Sequence, residues 1–249
     1  MKNITWICAI IGLTLLFSSC LKDGNDNQTI VLFGEEEYVK NFYEVIGLYP
    51  NDTTLQKYIP IDDTHTATPD VRGEYRFASC ELVYSGSLYA SPYDTIYFRF
   101  GGDFDAWDDY IHGQHHIITH CDIAIPGLYM DPAVFHTDTA YVKGQGNGFC
   151  AYFERHVELS QPIGSSSVIK YRLDQGIVIT GAKDPANGQI LGAKLALYNK
   201  DVRVLNPYEN PEAAAGIESM KGQLHAFKDS DGFSEMNPDK EHPFLNWNE

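Results

Sequence analysis

The six residues from Thr95 to Phe100, Thr-Ile-Tyr-Phe-Arg-Phe, decide the fold class of this chain. Apolar Ile96, Phe98 and Phe100 occupy every second position, and a period of two places them on one face of a β-strand. The side chains between them point to the opposite face. Aromatic and β-branched residues also fit a pleated, half-buried surface. The stretch therefore predicts a strand with one apolar face.

Similar segments continue on both sides of this strand. They are rich in β-favouring residues, and turn signals separate them at short intervals. Their ranges are Val71–Tyr84 with a bulge near residues 78–80, Gln114–Ile123, Ala140–Lys143, Phe149–Leu159, Val168–Leu173, Ile177–Thr180 and Leu191–Tyr198. About eight strands without intervening helices predict an all-β domain, an antiparallel barrel with short flanking helices. A β-sandwich is the alternative, since the 16 Tyr and 13 Phe could instead fill the space between two sheets.

Two segments outside the strands have the spacing of helices. Apolar residues recur every three or four positions from Glu35 to Leu48, which predicts a short amphipathic helix. The segment Asn51–Pro69 reads as a loop. Asn210 and Pro211 supply an N-cap and a first position for a helix over Glu212–Phe227.

The order of these elements resembles the lipocalin and wider calycin architecture. Lipocalins open with Gly-x-Trp, and here Gly73-Glu74-Tyr75 begins the first strand with Tyr75 in the place of the tryptophan. The resemblance implies that Arg203 takes the place of the arginine that stacks on that ring. It also implies a role in enclosing a small apolar ligand in the mouth of a barrel.

The N-terminus carries the signature of export and lipidation. After Lys2 the apolar run Ile4–Leu16 has about thirteen residues, which suits a secretion signal and is too short for a spanning helix. The following Phe-Ser-Ser-Cys, which ends at Cys20, resembles the lipobox of bacterial lipoproteins, in which this cysteine is acylated. The resemblance implies a membrane anchor at Cys20, and acyl chains contribute about 0.8 kcal/mol per buried CH₂.

The signature divides the chain into four parts. They are a signal peptide (1–19), the lipidated cysteine with a flexible tether (20–34), a single β domain with helices at both ends (35–227) and a polar, poorly ordered tail (228–249). Acidic residues soon after the anchoring cysteine resemble the export signals of Bacteroidetes, and the whole resembles the small envelope lipoproteins of that phylum. We therefore predict an outer-membrane protein on either the periplasmic or the exposed face.

The net charge of −16 argues against a protein that binds nucleic acid or adsorbs electrostatically to anionic lipid. The predicted contact with the membrane is therefore through the lipid anchor alone. Three cysteines remain beyond the signal and the anchor, Cys80, Cys121 and Cys150, and they allow one disulfide whose pairing the sequence leaves open.

Candidate metal ligands are present but badly spaced. On a strand, His116 and His120 point the same way yet lie about 13 Å apart, and a site would need His112 to fold back. Asp103 and Asp105 lie in an acidic loop without the spacing of a calcium loop. The sequence therefore predicts no metal site and no cofactor.

No catalytic motif is found, because the serines after Gly164 lack the closing glycine of a nucleophile elbow and there is no HExxH. The sequence favours a binding protein over an enzyme. An anchored carrier of a small apolar ligand or lipid is the first hypothesis, and a surface adhesion or glycan-contact module is the alternative. A hydrolase with carboxylates from distant strands is the third.

Overall fold

The fold is described from a computed structural model, which covers residues 38–61, 69–78, 80–86, 95–101, 117–125, 133–163 and 167–236. The helices are α1 (residues 38–46), α2 (Thr53–Tyr58) and α3 (Pro211–Glu218). The strands are β1 (Gly73–Ala78), β2 (Cys80–Ser85), β3 (Thr95–Phe100), β4 (Ile117–Ile125), β5 (Ala133–Gln145), β6 (Gly148–Ile163), β7 (Ser167–Lys183), β8 (Ile190–Val204), β9 (Leu224–Asp229) and β10 (Phe233–Met236). The prediction of an all-β protein is confirmed.

Every strand pairing is antiparallel. The strands follow the order β10-β1-β3-β4-β5-β6-β7-β8-β9-β2. The short strand β10 forms two register pairs with β1 and two with β8. Most neighbours in space are therefore also neighbours along the chain, as in a meander.

Apolar residues divide into an inner cluster and two outer clusters. The inner cluster takes side chains from β1 through β9, including Phe98, Phe153 and Phe227. Helices α1 and α2 cover part of the outer face of β6–β9, where Phe42 and Leu55 are fully buried. Helix α3 covers the far ends of β7 and β8. Both faces of these central strands are thus buried.

Strand β3 has the predicted bounds, and its apolar positions are buried while the residues between them are half-buried. The break between β1 and β2 falls at the predicted bulge. Other strands are longer than predicted. Strand β5 has 13 residues where a short strand was predicted, and β7 is one strand of 17 residues where two were predicted. The reason in β7 is Gly176, which accommodates close packing of α1 instead of forming a turn.

Three further predictions were wrong. The segment after Asn51 contains α2, because the Asp52 carboxylate caps it by accepting from the backbone N–H groups of Thr54 and Leu55, both at 2.9 Å. The helix predicted over Glu212–Phe227 ends after α3, and its second half is β9. Gly222, at φ +75°, turns the chain into that strand.

The predicted tail, 228–249, also begins too early, because β10 extends the described chain to residue 236 and pairs on both edges. The predicted signal, Cys20 and the tether lie outside the described residues. None of the helices in the described part of the chain is long and apolar enough to cross a membrane.

Candidate binding groove

Aromatic side chains fill the interior of the described strands. The Phe98 ring stacks on Tyr75 at a centroid distance of 5.3 Å and meets Phe100 edge to face at 5.6 Å. Phe100 in turn meets Phe149 edge to face at 6.2 Å. All four residues are no more than 5% exposed. These four rings therefore pack against one another in the interior.

Tyr75 is held at one end of this interior, but not by the arginine that the lipocalin resemblance implies. Its hydroxyl donates to the carbonyl of Val71 at 2.9 Å, and Lys183 Nζ donates to the same hydroxyl at 2.6 Å. Arg203 is exposed and lies near the opposite end of β8 from Ile190, the strand partner of Lys183, roughly 40 Å along the strand. Lys183 is therefore the cation beside Tyr75.

A groove of about 270 Å³ opens on the outer face of β5–β8, beside the end of α2. Its polar lining comes from Lys143, Gln145, Thr180 and Lys194. Glycines and apolar residues complete its walls: Pro60, Gly144, Gly148, Phe149, Cys150, Gly181, Ala182, Leu191 and Gly192. Two lysines and no carboxylate are found among the described residues that line it, although the chain has 34 acidic and 18 basic residues.

Three of the four polar residues of the groove belong to one row across the sheet. Lys143 pairs in register with Cys150, Cys150 with Thr180, and Thr180 with Lys194. The row continues from Lys194 to Lys228 on β9. Directly opposite side chains of antiparallel strands have Cβ atoms about 4.5–5.5 Å apart. Thr180 and Lys194 therefore lie side by side, and two lysines face each other at the end of the row.

The three lysines of the row have different surroundings. Lys143 is fully buried, and its Nζ lies 3.0 Å from the centroid of the Tyr38 ring of α1. Lys228 pairs with Glu81 on β2 at 3.0 Å. Lys194 is half-buried and has neither a hydrogen bond nor an ion pair with any described residue. Lys194 is therefore the cation that the groove offers to a ligand.

Two histidines elsewhere rest against carboxylates, an arrangement found in hydrolase triads. His136 contacts Asp122, which also accepts from Arg99 Nε at 2.6 Å. His156 Nδ1 lies 2.7 Å from Asp174, and its Nε2 lies 3.9 Å from the carboxylate of Glu154. Each aspartate also neutralises a guanidinium, since Arg172 contacts Asp174. Both arrangements are accounted for as ion-pair networks.

A buried polar chain also crosses the interior at the end away from Tyr75. Arg155 Nε donates to Gln175 Oε1 at 2.7 Å, and Gln175 Nε2 donates to Asn199 Oδ1 at 2.6 Å. Asn199 Nδ2 donates to the carbonyl of Met220 after α3 at 3.1 Å. These hydrogen bonds join β6, β7 and β8 to the turn after α3. The three polar side chains therefore have a structural role.

Asp229 is a buried acid at the bend between β9 and β10. Ser234 Oγ donates to its Oδ2 at 3.0 Å, while its Oδ1 is buried without a partner among the described residues. Burial, reinforced by Asp231, raises the pKa of Asp229 to about 7. Cys80 is also buried, and its burial together with the nearby Asp229 carboxyl raises the pKa of the Cys80 thiol to about 12.

This titration predicts a pH-dependent stability. Between the ordinary value of 3.8 and about 7 the folded state binds more protons at Asp229 than the unfolded state. Stability should therefore fall as pH rises through this window and level off above it. Asp229→Asn removes the titration while keeping the shape, so we expect a flatter profile and a gain of about 2 kcal/mol at pH 8 in urea unfolding. Exposed Glu209→Gln is the control, and an unchanged slope in Asp229→Asn would contradict the assignment.

The residues considered above as metal ligands lie largely outside the described structure. His112, His116, Asp103 and Asp105 lie outside the described residues, and only the backbone of His120, in β4, is described. Within the described ranges no three His, Cys, Asp or Glu side chains are grouped for a metal ion. Cys80, Cys121 and Cys150 are buried, and no two of them form a disulfide. They pack as small apolar side chains in the inner and outer clusters.

The groove was not predicted from the sequence. The alternation of β8 does place Lys194 on the face opposite its apolar residues, so the direction of this side chain is a local signal. What aligns Thr180 and Lys194 is the register of two strands, and a bulge beside Thr180 shifts that register.

The chain matches no protein-family model, no curated protein and no solved structure.

Proposed function

We propose that this protein is an acyl-anchored lipoprotein of a bacterial cell envelope whose β domain binds its partner on its outer face. The anchor is supported by the apolar run that ends in Phe-Ser-Ser-Cys at Cys20. Binding on the outer face is supported by the filled interior together with the open groove on β5–β8. The filled interior carries this proposal, because it favours the surface-contact hypothesis over the apolar carrier.

The architecture that we propose for the domain is a closed antiparallel barrel with a packed interior. Strands β1 and β2 are consecutive and separated by one residue, and β9 and β10 are separated by a bend of three residues. If each couple is counted as one bent strand, the ten strands make eight. The contacts of β10 with both β1 and β8 then support closure between the last strand and the first. Barrels of about this size are filled by side chains.

The anchor is tested by labelling a bacterium that produces the full chain with a palmitate analogue that carries a chemical tag. We expect the tag on the wild-type protein and its loss in Cys20→Ala, because only the cysteine of a lipobox is acylated. Cys150→Ala is the matched control and should keep the tag, since this thiol is buried. A tag that persists in Cys20→Ala would contradict the anchor.

Binding on the outer face, instead of in the interior, is tested by a separate dye titration. An environment-sensitive apolar dye titrated into the purified wild-type chain should show no saturable stoichiometric site, because the interior is occupied. Saturable binding of one dye per chain that detergent micelles alone do not show would favour the carrier and overturn this part of the proposal.

A further inference from the structure

From the row of side chains that contains Thr180 and Lys194, we infer that the groove on β5–β8 binds a small organic oxyanion, a carboxylate or a phosphate ester. This inference rests on the proposed function, because it names the ligand class for the outer face. Lys194 and Thr180 are the residues assigned to the anion. Both are lining residues of the groove and directly opposite partners in the sheet.

The charges around Lys194 favour an anionic ligand. Lys194 faces Lys228 directly across the strands, and like charges opposite each other destabilise a sheet. Glu81 neutralises Lys228 at 3.0 Å, whereas no described residue neutralises Lys194. In a chain with a net charge of −16, a groove that has lysines and no described carboxylate is an exception to the surrounding charge. An anion beside Lys194 would complete the row as Glu81 does for Lys228.

The groove also has hydrogen-bonding side chains that can contact an anion. Thr180 is the strand partner of Lys194 and lines the same groove, so its hydroxyl can donate to an anion that Lys194 binds. Gln145 adds a side-chain amide to the lining. Charge-assisted hydrogen bonds are about twice as strong as neutral ones. The lining therefore suits an anion that also has hydroxyl groups.

The volume of the groove favours a small ligand. A volume of about 270 Å³ is near the lower end of the range for small-molecule pockets. It accommodates a ligand of the size of a monosaccharide acid or a sugar phosphate and excludes an extended chain from full burial. Phe149, Cys150 and Thr180 are buried and Lys194 is half-buried, so Lys194 is the more accessible of the two residues assigned to the anion.

The test is isothermal titration calorimetry on the full mature chain in a polyoxyethylene detergent at low salt. The probes are glucuronate, glucose 6-phosphate, inorganic phosphate and neutral glucose. We expect saturable binding of at least one organic anion, tighter than glucose by about 10-fold, and weaker as salt is added. Competition by inorganic phosphate would assign recognition to the phosphoryl group alone, and its absence would assign it to the organic anion as a whole.

Three variants locate the site. Lys194→Gln should weaken binding by about 10-fold or more, and Thr180→Val by a smaller factor, since a neutral hydrogen bond is weaker than a charged one. Lys228→Gln is the matched control, because it removes the same charge one strand away from a lysine that Glu81 already pairs. We expect it to bind within about twofold of the wild type. Thermal unfolding of each variant confirms that the domain remains folded.

The inference is overturned if no anion binds saturably, if glucose binds as tightly as the anions, or if Lys228→Gln loses as much affinity as Lys194→Gln. Failure of the groove in this way is distinct from failure of the proposed function. The proposed function fails in the dye and palmitate experiments, which leave Lys194 unchanged.

Discussion

Gly176→Ala is expected to destabilise the protein by about 2–4 kcal/mol, the range of an overpacked and strained core position. A Cβ atom at Gly176 would lie 2.5 Å from both the Cα and the carbonyl oxygen of Ile46, the last residue of α1. Both atoms belong to the backbone, so no side chain can rotate away. Helix α1 would have to move off β7, and Phe42, which is fully buried beneath it, would lose contacts.

The measurement is urea unfolding of wild type and variant. Gly216→Ala is the matched control, because nothing lies within 4 Å of the Cβ that alanine would add in α3. Alanine is the better helix former by up to about 1 kcal/mol, so we expect this variant to be more stable than the wild type. Equal stability of Gly176→Ala and the wild type would mean that α1 does not pack on β7 as described.

Phe98→Ala is expected to cost about 3–5 kcal/mol, the usual range for a buried phenylalanine. Phe98 is 1% exposed and packs against Tyr75, Phe77 and Phe100, with centroid distances of 5.3, 6.4 and 5.6 Å. Its removal leaves a cavity lined by these three rings. Tyr208→Ala is the control, since this side chain is 93% exposed and should change stability by less than about 0.5 kcal/mol.

The same variant tests the filled interior. An apolar cavity lined by rings stays dry and takes up small apolar molecules. Benzene should therefore raise the unfolding midpoint of Phe98→Ala and leave that of the wild type unchanged, because a ligand stabilises only the state that it binds. An equal rise in both proteins would mean that the wild-type interior already has a void, and it would restore the apolar carrier as the favoured function.

Gly176 and Gly222 show why the bounds of β7 and of the helix after Asn210 could not be predicted from the sequence. Gly176 marks a close approach between α1 and β7, whereas Gly222 marks a turn into β9. Both have the same local meaning in the sequence, a position without a side chain. Only the partner packed against Gly176 distinguishes the two, and that partner is 130 residues away along the chain.

The sequence by itself determined the β class, the strand at Thr95–Phe100 and the direction of side chains within it, because a period of two is a property of the local chain. Tertiary structure decided which of two lysines has a carboxylate partner among the described residues. Lys194 and Lys228 are both exterior strand lysines, and only the pairing of β9 with β2 brings Glu81 to one of them. Register depends on turns, bulges and packing summed over the whole sheet, so no segment contains it alone.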